Sequence, residues 1–117
     1  MQSKFRLSRS EDFKRVRRIG KSYAHPLVVL VALVSDPAIR HVRVGVAAGK
    51  TTGTAVHRNR AKRLLREAMR PMLASLASGW DLVLIARPAL VTATLEDTRS
   101  ALLALLQRAK IIPADEP

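Results

Sequence analysis

The sequence predicts an α+β fold in which helices cover a small sheet, in the order helix, strands, helix, strand, helix. Apolar residues recur at helical spacing in three segments, near the start, the middle and the end of the chain. Between them, residues 27–34 form a continuous apolar run, and valines alternate with other residues over 42–46. The 117 residues are 48% apolar, which is enough to fill one core between such layers.

The first helix is predicted to begin at the segment Ser8-Arg9-Ser10-Glu11. This segment has the form of a capping box, in which a serine hydroxyl accepts a hydrogen bond from a first-turn amide and Glu11 reaches back. Phe13 and Val16 then share one face. The helix is expected to extend to about Ile19, with Gly20 closing it.

Two strands are predicted before the central helix and one after it. The run 27–34 is typical of a strand buried on both faces, and a split of this run at Val29–Leu30 stays open. Residues 42–46 fit a half-buried strand with one polar face. After a turn at Gly79-Trp80-Asp81, residues 82–86 fit a short buried strand.

Two further helices are predicted from apolar spacing and from end signals. The central helix runs from Ala55 to about Arg70, because Pro71 lacks a backbone donor and should end or kink it there. Thr94, with Asp97 three residues on, marks the start of the last helix. Residues 113–117 are expected to be a frayed tail, so that residues 1–117 form one domain.

Composition excludes several classes of protein. The chain has no cysteine, which excludes disulfide scaffolds, cysteine-type zinc sites and thiol nucleophiles. The longest apolar run has eight residues, whereas a membrane span needs about 20. The first residues lack the apolar core of a secretory signal, so a cytoplasmic protein with no membrane contact is expected.

Charge points to a polyanionic partner. Lysine and arginine total 21 against nine acidic residues, a net charge of +12, and 15 of the 21 cations are arginine. Arginine matches phosphate groups bidentately, and neutralised phosphates release their counterions, so nucleic acid is the leading candidate. Cations are concentrated in residues 4–21 and 57–70. In the second cluster Arg58, Lys62, Arg66 and Arg70 recur every four residues, which predicts one basic stripe opposite much of the apolar face.

No catalytic or metal-binding constellation is found in the sequence. His25, His41 and His57 stand alone, and the acidic pairs Glu11-Asp12 and Glu96-Asp97 are explained by their positions at helix starts. The loop 49–53 lacks the spacing of a P-loop, so it either presents Lys50 and amides to an anion or simply connects two elements. The four aromatic residues are too few for a stacking platform.

The segment Ala55–Glu67 carries the pattern Arg-Asn-Arg-x-Lys-Arg-x-x-Arg and resembles the protein subunit of bacterial ribonuclease P. Supporting matches cover almost the whole chain: Arg6-Leu7, Glu11-Asp12-Phe13, Gly20, Arg43-Val44-Gly45-Val46, Lys50, Gly53, Asp81 and Ile85-Ala86-Arg87. The resemblance implies the order αβββαβα, a mixed four-stranded sheet and a left-handed crossover around the basic helix, against the common handedness.

The resemblance also implies a function. In that family the RNA subunit and its Mg²⁺ ions remove the 5′ leader from precursor tRNA, while the protein binds the RNA, grips the leader and strengthens metal binding. The partners implied are therefore the ribonuclease P RNA and precursor tRNA, with Mg²⁺ held mainly by the RNA. No protein active site, no metal site on the protein and no obligate protein partner are expected.

Site residues follow from the same resemblance. The RNA-binding set is Arg58, Asn59, Arg60, Lys62, Arg63, Arg66, Arg70 and Lys50, and the leader-binding cleft is formed by Phe13, Arg17, Val31, Arg9, Lys14 and Arg43. Three positions depart from the usual family pattern. Arg17 stands where many members have a second aromatic residue, Val31 where some have tyrosine, and Thr51 where a second lysine is common. Leader binding is therefore predicted to depend more on arginine and less on stacking.

Three other functions share part of this pattern. A ribosomal or other structural RNA-binding protein would have the same charge and the same lack of catalytic residues, but it would not need the ordered motif. A DNA-binding helix-turn-helix needs a short helix before the basic one, where a strand and a glycine loop are predicted instead. A ribonuclease with its own active site needs an acid–base pair that the sequence lacks.

Overall fold

Three helices and a four-stranded sheet are present in the computed structural model, which describes residues 3–76 and 78–112. The helices are α1 (Ser10–Ile19), α2 (Ala55–Met69) and α3 (Leu95–Arg108). The strands are β1 (Lys21–Ala24), β2 (Val28–Val34), β3 (Arg43–Ala48) and β4 (Trp80–Ala86). Short 3₁₀ turns lie at Ser3–Phe5, Lys50–Thr52, Arg70–Ser75 and Pro88–Thr92. The predicted frayed tail, residues 113–117, lies outside the described residues.

The sheet is mixed and has the order β1-β2-β4-β3. Strand β2 pairs antiparallel with both β1 and β4, whereas β3 and β4 are parallel and are connected through α2. The predicted order αβββαβα is therefore confirmed, and the run 27–34 forms one unbroken strand. The predicted left-handed sense of the β3–α2–β4 crossover stays a prediction.

The two faces of the sheet are covered unequally. Alternate residues such as Leu30 and Leu84 face α2 and α3, whose buried side chains include Leu65 and Leu102. The other face is covered by α1 and by Leu7 just before it, and Val16 is the one fully buried side chain of α1. The row formed by Val29, Ile85 and Ala47 on that face is only half-buried. One helix on a four-stranded sheet thus leaves an open apolar strip beside it.

Helix α1 begins later than predicted and without the capping box. Its N-cap is Arg9, which makes no side-chain capping bond. The cause lies upstream, where the Leu7 amide donates to the Val44 carbonyl at 2.9 Å and Arg6 bridges to β3. This pairing holds the chain extended through residue 8. Gly20 does end the helix as its C-cap, and a glycine is needed there because an added Cβ would lie 2.8 Å from a methyl group of Val31.

Two strand predictions need correction. Strand β1 was not predicted from the residues; it is the third strand that the resemblance implied before α2. Trp80 and Asp81 belong to β4 and not to a turn. A charged residue is accommodated in that strand because Asp81 is paired with two arginines, as described below.

The remaining helix ends agree with their sequence signals. Helix α2 ends at Met69, and Pro71 lies in the 3₁₀ turn that follows. The Thr94 hydroxyl accepts a hydrogen bond from the Asp97 amide at 3.0 Å, as the spacing of these residues predicts. Thr54 caps α2 in the same way through the His57 amide, at 3.4 Å.

Candidate nucleic-acid interface

The loop before α2 is a single 3₁₀ turn that leaves Lys50 exposed. Gly53 follows it with φ 128°, a conformation that favours glycine, and the His57 ring lies where a Cβ would be. The first turn of α2 contains no acidic residue. Lys50 and the positive end of the helix dipole therefore lie together on the surface, at the start of the basic helix.

The residues of α2 and its C-cap that are predicted to bind RNA differ in exposure. Arg58, Lys62 and Arg66 are half-buried, whereas Asn59 and Arg63 are exposed. Arg60 and Arg70 are exposed as well. The predicted stripe therefore lies on a flank of the helix, next to its buried face, and not opposite that face. Because residues four apart drift by about 40° per step around a helix of 3.6 residues per turn, the stripe turns from the buried side at Arg58 toward solvent at Arg70.

Most of these cations have no acidic partner. Within residues 3–76 and 78–112, the one ion pair formed by the cations of α2 and its C-cap joins Arg70 to Glu67, at 3.0 Å. Arg60 donates instead to the Val91 carbonyl at 3.1 Å, and the buried Nε of Arg58 has no acceptor among the described residues. Because so few of its positive charges are paired with acidic residues of the protein, this helix face favours binding to a polyanion.

A cleft of about 220 Å³ connects this helix to α1 and β3. We call it the Phe13 cleft; its walls are formed by Arg6, Leu7, Ser8, Phe13, Val44, Gly45, Val46 and Arg66. Arg66 thus belongs both to the α2 flank and to the cleft. The lining contains two arginines, one aromatic ring and no carboxylate, which suits a nucleotide chain: a phosphate for the cations and a base for the ring.

The Phe13 ring lies directly over Gly45. A Cβ at Gly45 would be 2.6 Å from one ring carbon of Phe13, and a second ring carbon would be closer still. The lack of a side chain at Gly45 therefore lets the ring approach the sheet and fixes the depth of the cleft.

Gly45→Ala is expected to destabilise the fold by about 1–3 kcal/mol, because the Phe13 ring must move away from β3. Gly49→Ala is the matched control, since nothing lies within 4 Å of its added Cβ and its φ is an ordinary −82°. Urea unfolding measures both variants. Equal stability of the two would show that Phe13 is not seated on Gly45.

The predicted leader-binding residues of α1 point to solvent. Arg9, Lys14 and Arg17 are exposed, and Arg9 and Arg17 flank Phe13 at steps of four residues on one side of the helix. Val31 is different, since it is 3% exposed and packs with Val16. Its predicted place on the cleft surface is therefore corrected to the core beneath α1, where it supports the helix.

Arg43 has a partner within the protein, because its side chain is bound to Asp81, and its predicted place in the leader-binding cleft stays a prediction. Asp81 is fully buried and accepts from Arg43 Nε at 2.9 Å, from Arg43 Nη2 at 2.8 Å and from Arg15 Nη2 at 2.8 Å. Asp12 lies 3.5–3.6 Å from the same two guanidinium groups. The hydrogen bond to Asp81 raises the pKa of Arg43, which stays cationic. This network fastens α1 to β3 and β4.

The sequence interpretation missed Asp81 and Arg15 as a functional pair. The signal that points to them is a carboxylate directly before an apolar strand, in a chain with a large excess of cations. Arg43 and Asp81 are direct partners in the parallel β3–β4 register, so the pairing becomes evident once that register is known.

The three histidines remain separate from one another. His25 accepts from the Leu27 amide at 3.1 Å, His41 packs against Phe5, and His57 packs against Gly53. In the described parts of the chain no three histidines or acidic residues come together as a metal-binding group. None of the helices described has the length and apolar character needed to cross a membrane.

Fold and interface together define a small α+β protein with a basic helix bordering a cationic cleft. A family model described as Ribonuclease P matches residues 1–110, and the chain belongs to this family of bacterial ribonuclease P protein components. The resemblance seen in the motif of α2 is thereby confirmed.

Relatives and solved structures agree over nearly the whole chain. The ribonuclease P protein component of Herpetosiphon aurantiacus is 41% identical, covering 95% of this chain and 89% of the relative. That of Brevibacillus brevis is 39% identical, covering 96% and 88%. The Staphylococcus aureus protein superposes with a TM-score of 0.80 at 29% identity, covering 92% of this chain and 96% of the other. The Thermotoga maritima protein gives 0.76 at 29% identity, covering 88% and 98%.

Proposed function

We propose that this chain binds the catalytic RNA of ribonuclease P through α2 and holds the 5′ leader of precursor tRNA in the Phe13 cleft. The holoenzyme then removes the leader endonucleolytically and leaves the mature 5′ end of the tRNA. The RNA subunit and its Mg²⁺ ions carry the chemistry in this proposal. The protein contributes binding and positioning and supplies no catalytic residue.

One observation carries the proposal: a cationic surface joins the flank of α2 to the Phe13 cleft, and the cleft is lined by no acidic side chain. Arg66 lies in both parts, since it lines the cleft together with Phe13. An RNA bound along Arg58 and Lys62 therefore lies next to a strand held in the cleft. The arrangement supports simultaneous contact with the RNA subunit and with its substrate.

The chemistry of the cleft favours contact with phosphates and one base, in accord with the departures from the family pattern. Phe13 is its single aromatic side chain, and Arg17 extends the same side of α1 with charge in place of a second ring. The half-buried strip of Val29, Ile85 and Ala47 adds an apolar floor beside α1. Such a site binds single-stranded RNA with little regard for sequence.

The proposal assigns Mg²⁺ to the RNA. The protein lowers the concentration of Mg²⁺ that cleavage requires, because cations on α2 neutralise phosphates that would otherwise repel the substrate. Asp12 and Asp81, the acidic residues that fasten α1 to the sheet, lie within 4 Å of guanidinium groups. Their charges are therefore already compensated within the protein.

Leader-length dependence tests the assignment of the cleft. We expect the affinity of the holoenzyme for precursor tRNA to rise with leader length, and Arg17→Ala to lower it by ~10-fold for a long leader and by less than about twofold for a leaderless tRNA. Phe13→Ala should show the same pattern with a smaller loss, from the one stacked base.

Arg99→Ala is the control for that experiment, since Arg99 is an exposed cation on α3, on the opposite side of the sheet from α1. If neither Phe13→Ala nor Arg17→Ala changes the dependence on leader length relative to this control, the leader does not bind in the Phe13 cleft.

A further inference from the structure

A second cleft of about 220 Å³ opens where β3 begins and the 3₁₀ turn after α2 ends. We call it the Phe5 pocket. Lys4, Phe5, Arg40 and His41 form its rim, and the buried Leu73 and Leu76 form its apolar floor. No residue of the leader-binding or RNA-binding sets predicted from the resemblance lies in this pocket.

Two aromatic rings meet in the Phe5 pocket. The rings of Phe5 and His41 are 5.9 Å apart at 84°, an edge-to-face arrangement, and both side chains are half-buried. In this geometry the edge of one ring points at a face of the other, so the ring that presents its edge has neither of its own faces covered by its neighbour. A planar base therefore finds a stacking surface here, in a chain with only four aromatic residues of the Phe, Tyr and Trp types.

The charges around the rings are all positive. Lys4 Nζ lies over the Phe5 ring, 5.0 Å from its centroid, and Arg40 is an exposed residue of the pocket lining. Neither cation has a carboxylate within 4 Å in residues 3–76 and 78–112, and no acidic residue lines the pocket. Rings with such cations around them match the two parts of a nucleotide, its base and its phosphate.

The Phe5 pocket and the Phe13 cleft are lined by consecutive residues of one segment. Lys4 and Phe5 line the first, and Arg6, Leu7 and Ser8 line the second. The segment is held in place by the hydrogen bond from Leu7 to Val44. Phe5 and Ser8 are three residues apart, at most about 10 Å of extended chain, so both clefts are within reach of one short stretch of RNA.

We propose that the Phe5 pocket binds one nucleotide of single-stranded RNA, with the base stacked on one of the two perpendicular rings, Phe5 or His41, and the phosphate bound by Lys4 and Arg40. This inference rests on the proposed function for the kind of ligand. The nucleotide comes either from the leader beyond the Phe13 cleft or from an unpaired segment of the ribonuclease P RNA, since both present the same chemistry.

The test uses the double variant Lys4→Ala/Arg40→Ala, which leaves the core untouched because both side chains are exposed. The matched control is Arg99→Ala/Lys110→Gly, which removes the same two charges from exposed positions in and after α3; glycine suits the positive φ of 60° at Lys110. One arm measures binding of the protein to the ribonuclease P RNA alone. The other measures binding of the reconstituted holoenzyme to precursor tRNAs with short and long leaders.

We expect the double variant to bind ~10-fold more weakly in one arm, and its salt slope to flatten by about 0.7 for each phosphate that it no longer neutralises. A loss confined to long leaders assigns the nucleotide to the leader, and a loss in the first arm assigns it to the RNA subunit. Agreement with the control within about twofold in both arms overturns the proposal. The wild-type protein is measured in the same two arms. If it binds RNA while the double variant matches the control, the pocket proposal fails and the proposed function stands. If the wild-type protein itself does not bind, the proposed function fails.

A second measurement reports on the rings themselves. The ring-proton signals of His41, assigned by their loss in His41→Asn, should shift saturably when a short single-stranded oligoribonucleotide is added. The signals of His25, which lies before β2, should stay in place. No shift at His41 at concentrations that saturate the protein would contradict base stacking in the pocket.

Discussion

Asp81→Asn is expected to destabilise the fold by about 3 kcal/mol. The Asp81 carboxylate is fully buried and accepts three hydrogen bonds from Arg15 and Arg43. An asparagine of the same size keeps the packing but removes the charge and turns one acceptor into a donor that faces a guanidinium. Breaking a buried pair costs about 3–5 kcal/mol, and we take the lower end because the side chains of Arg15 and Arg43 are 37% and 20% exposed.

Urea unfolding measures this loss, and Asp97→Asn is the control. Asp97 is an exposed acid in the first turn of α3, where a charge contributes about 0.3–1 kcal/mol through the helix dipole. Because α1 is fastened through Asp81, the variant should also bind long-leader substrates less tightly. A change in the free energy of unfolding no larger than that of Asp97→Asn would show that this network does not hold α1 in place.

Lys62→Ala/Arg66→Ala is expected to lower the affinity for the ribonuclease P RNA by ~100-fold. Each of these cations is half-buried on the flank of α2 and has no acidic partner among the described residues. Each charge-assisted hydrogen bond to a phosphate is taken as roughly 1.5 kcal/mol, about tenfold in affinity. The slope of the logarithm of affinity against the logarithm of salt should flatten by about 0.7–0.9 for each phosphate left without its cation.

Filter binding at several salt concentrations measures both quantities. Arg99→Ala/Lys110→Gly again removes two charges from outside the interface and should change affinity by less than about threefold. Circular dichroism checks that α2 still forms, which is expected because alanine has the highest helix propensity. An unchanged salt slope in the α2 variant would show that this flank is not the surface that binds RNA.

The three helices and the strands β2, β3 and β4 could be predicted because their signals are local. The spacing of apolar residues in α2, the proline after it and the Thr94 cap of α3 each act within a few residues of the feature they determine. The cations of α2 could be predicted from the sequence in the same way, since they lie on one helix. Their position on a flank could not be predicted from the sequence, because it depends on which side chains of α2 the sheet buries.

What the residues alone did not predict depends on partners far away in the sequence. Strand β1 (Lys21–Ala24) is mostly exposed and has no apolar alternation, and it forms because β2 offers an edge for pairing. The first helix starts late because Leu7 pairs with Val44. Asp81 extends β4 because Arg43 lies opposite it in β3, 38 residues away in the sequence.

The candidate site also divides into what the sequence predicts and what only the structure shows. The resemblance supplied Phe13 and the arginines of α1 and α2 residue by residue, and the structure brings Phe13 and Arg66 together. It also removes Val31 from the cleft surface, because this residue packs beneath α1, and it shows that Arg43 is bound to Asp81. A motif identifies which residues matter, whereas burial and hydrogen bonding determine which of them are free to contact RNA.

Reconstitution of cleavage tests most directly whether this chain assists the ribonuclease P RNA. Protein stripped of nucleic acid by nuclease treatment is added to transcribed ribonuclease P RNA and precursor tRNA at limiting Mg²⁺, and 5′ cleavage is measured. We predict that the protein alone is inert, that it restores cleavage by the RNA, and that Lys62→Ala/Arg66→Ala restores it only at higher protein concentration. Tight binding to the RNA with no change in cleavage would contradict the account and favour a structural RNA-binding role.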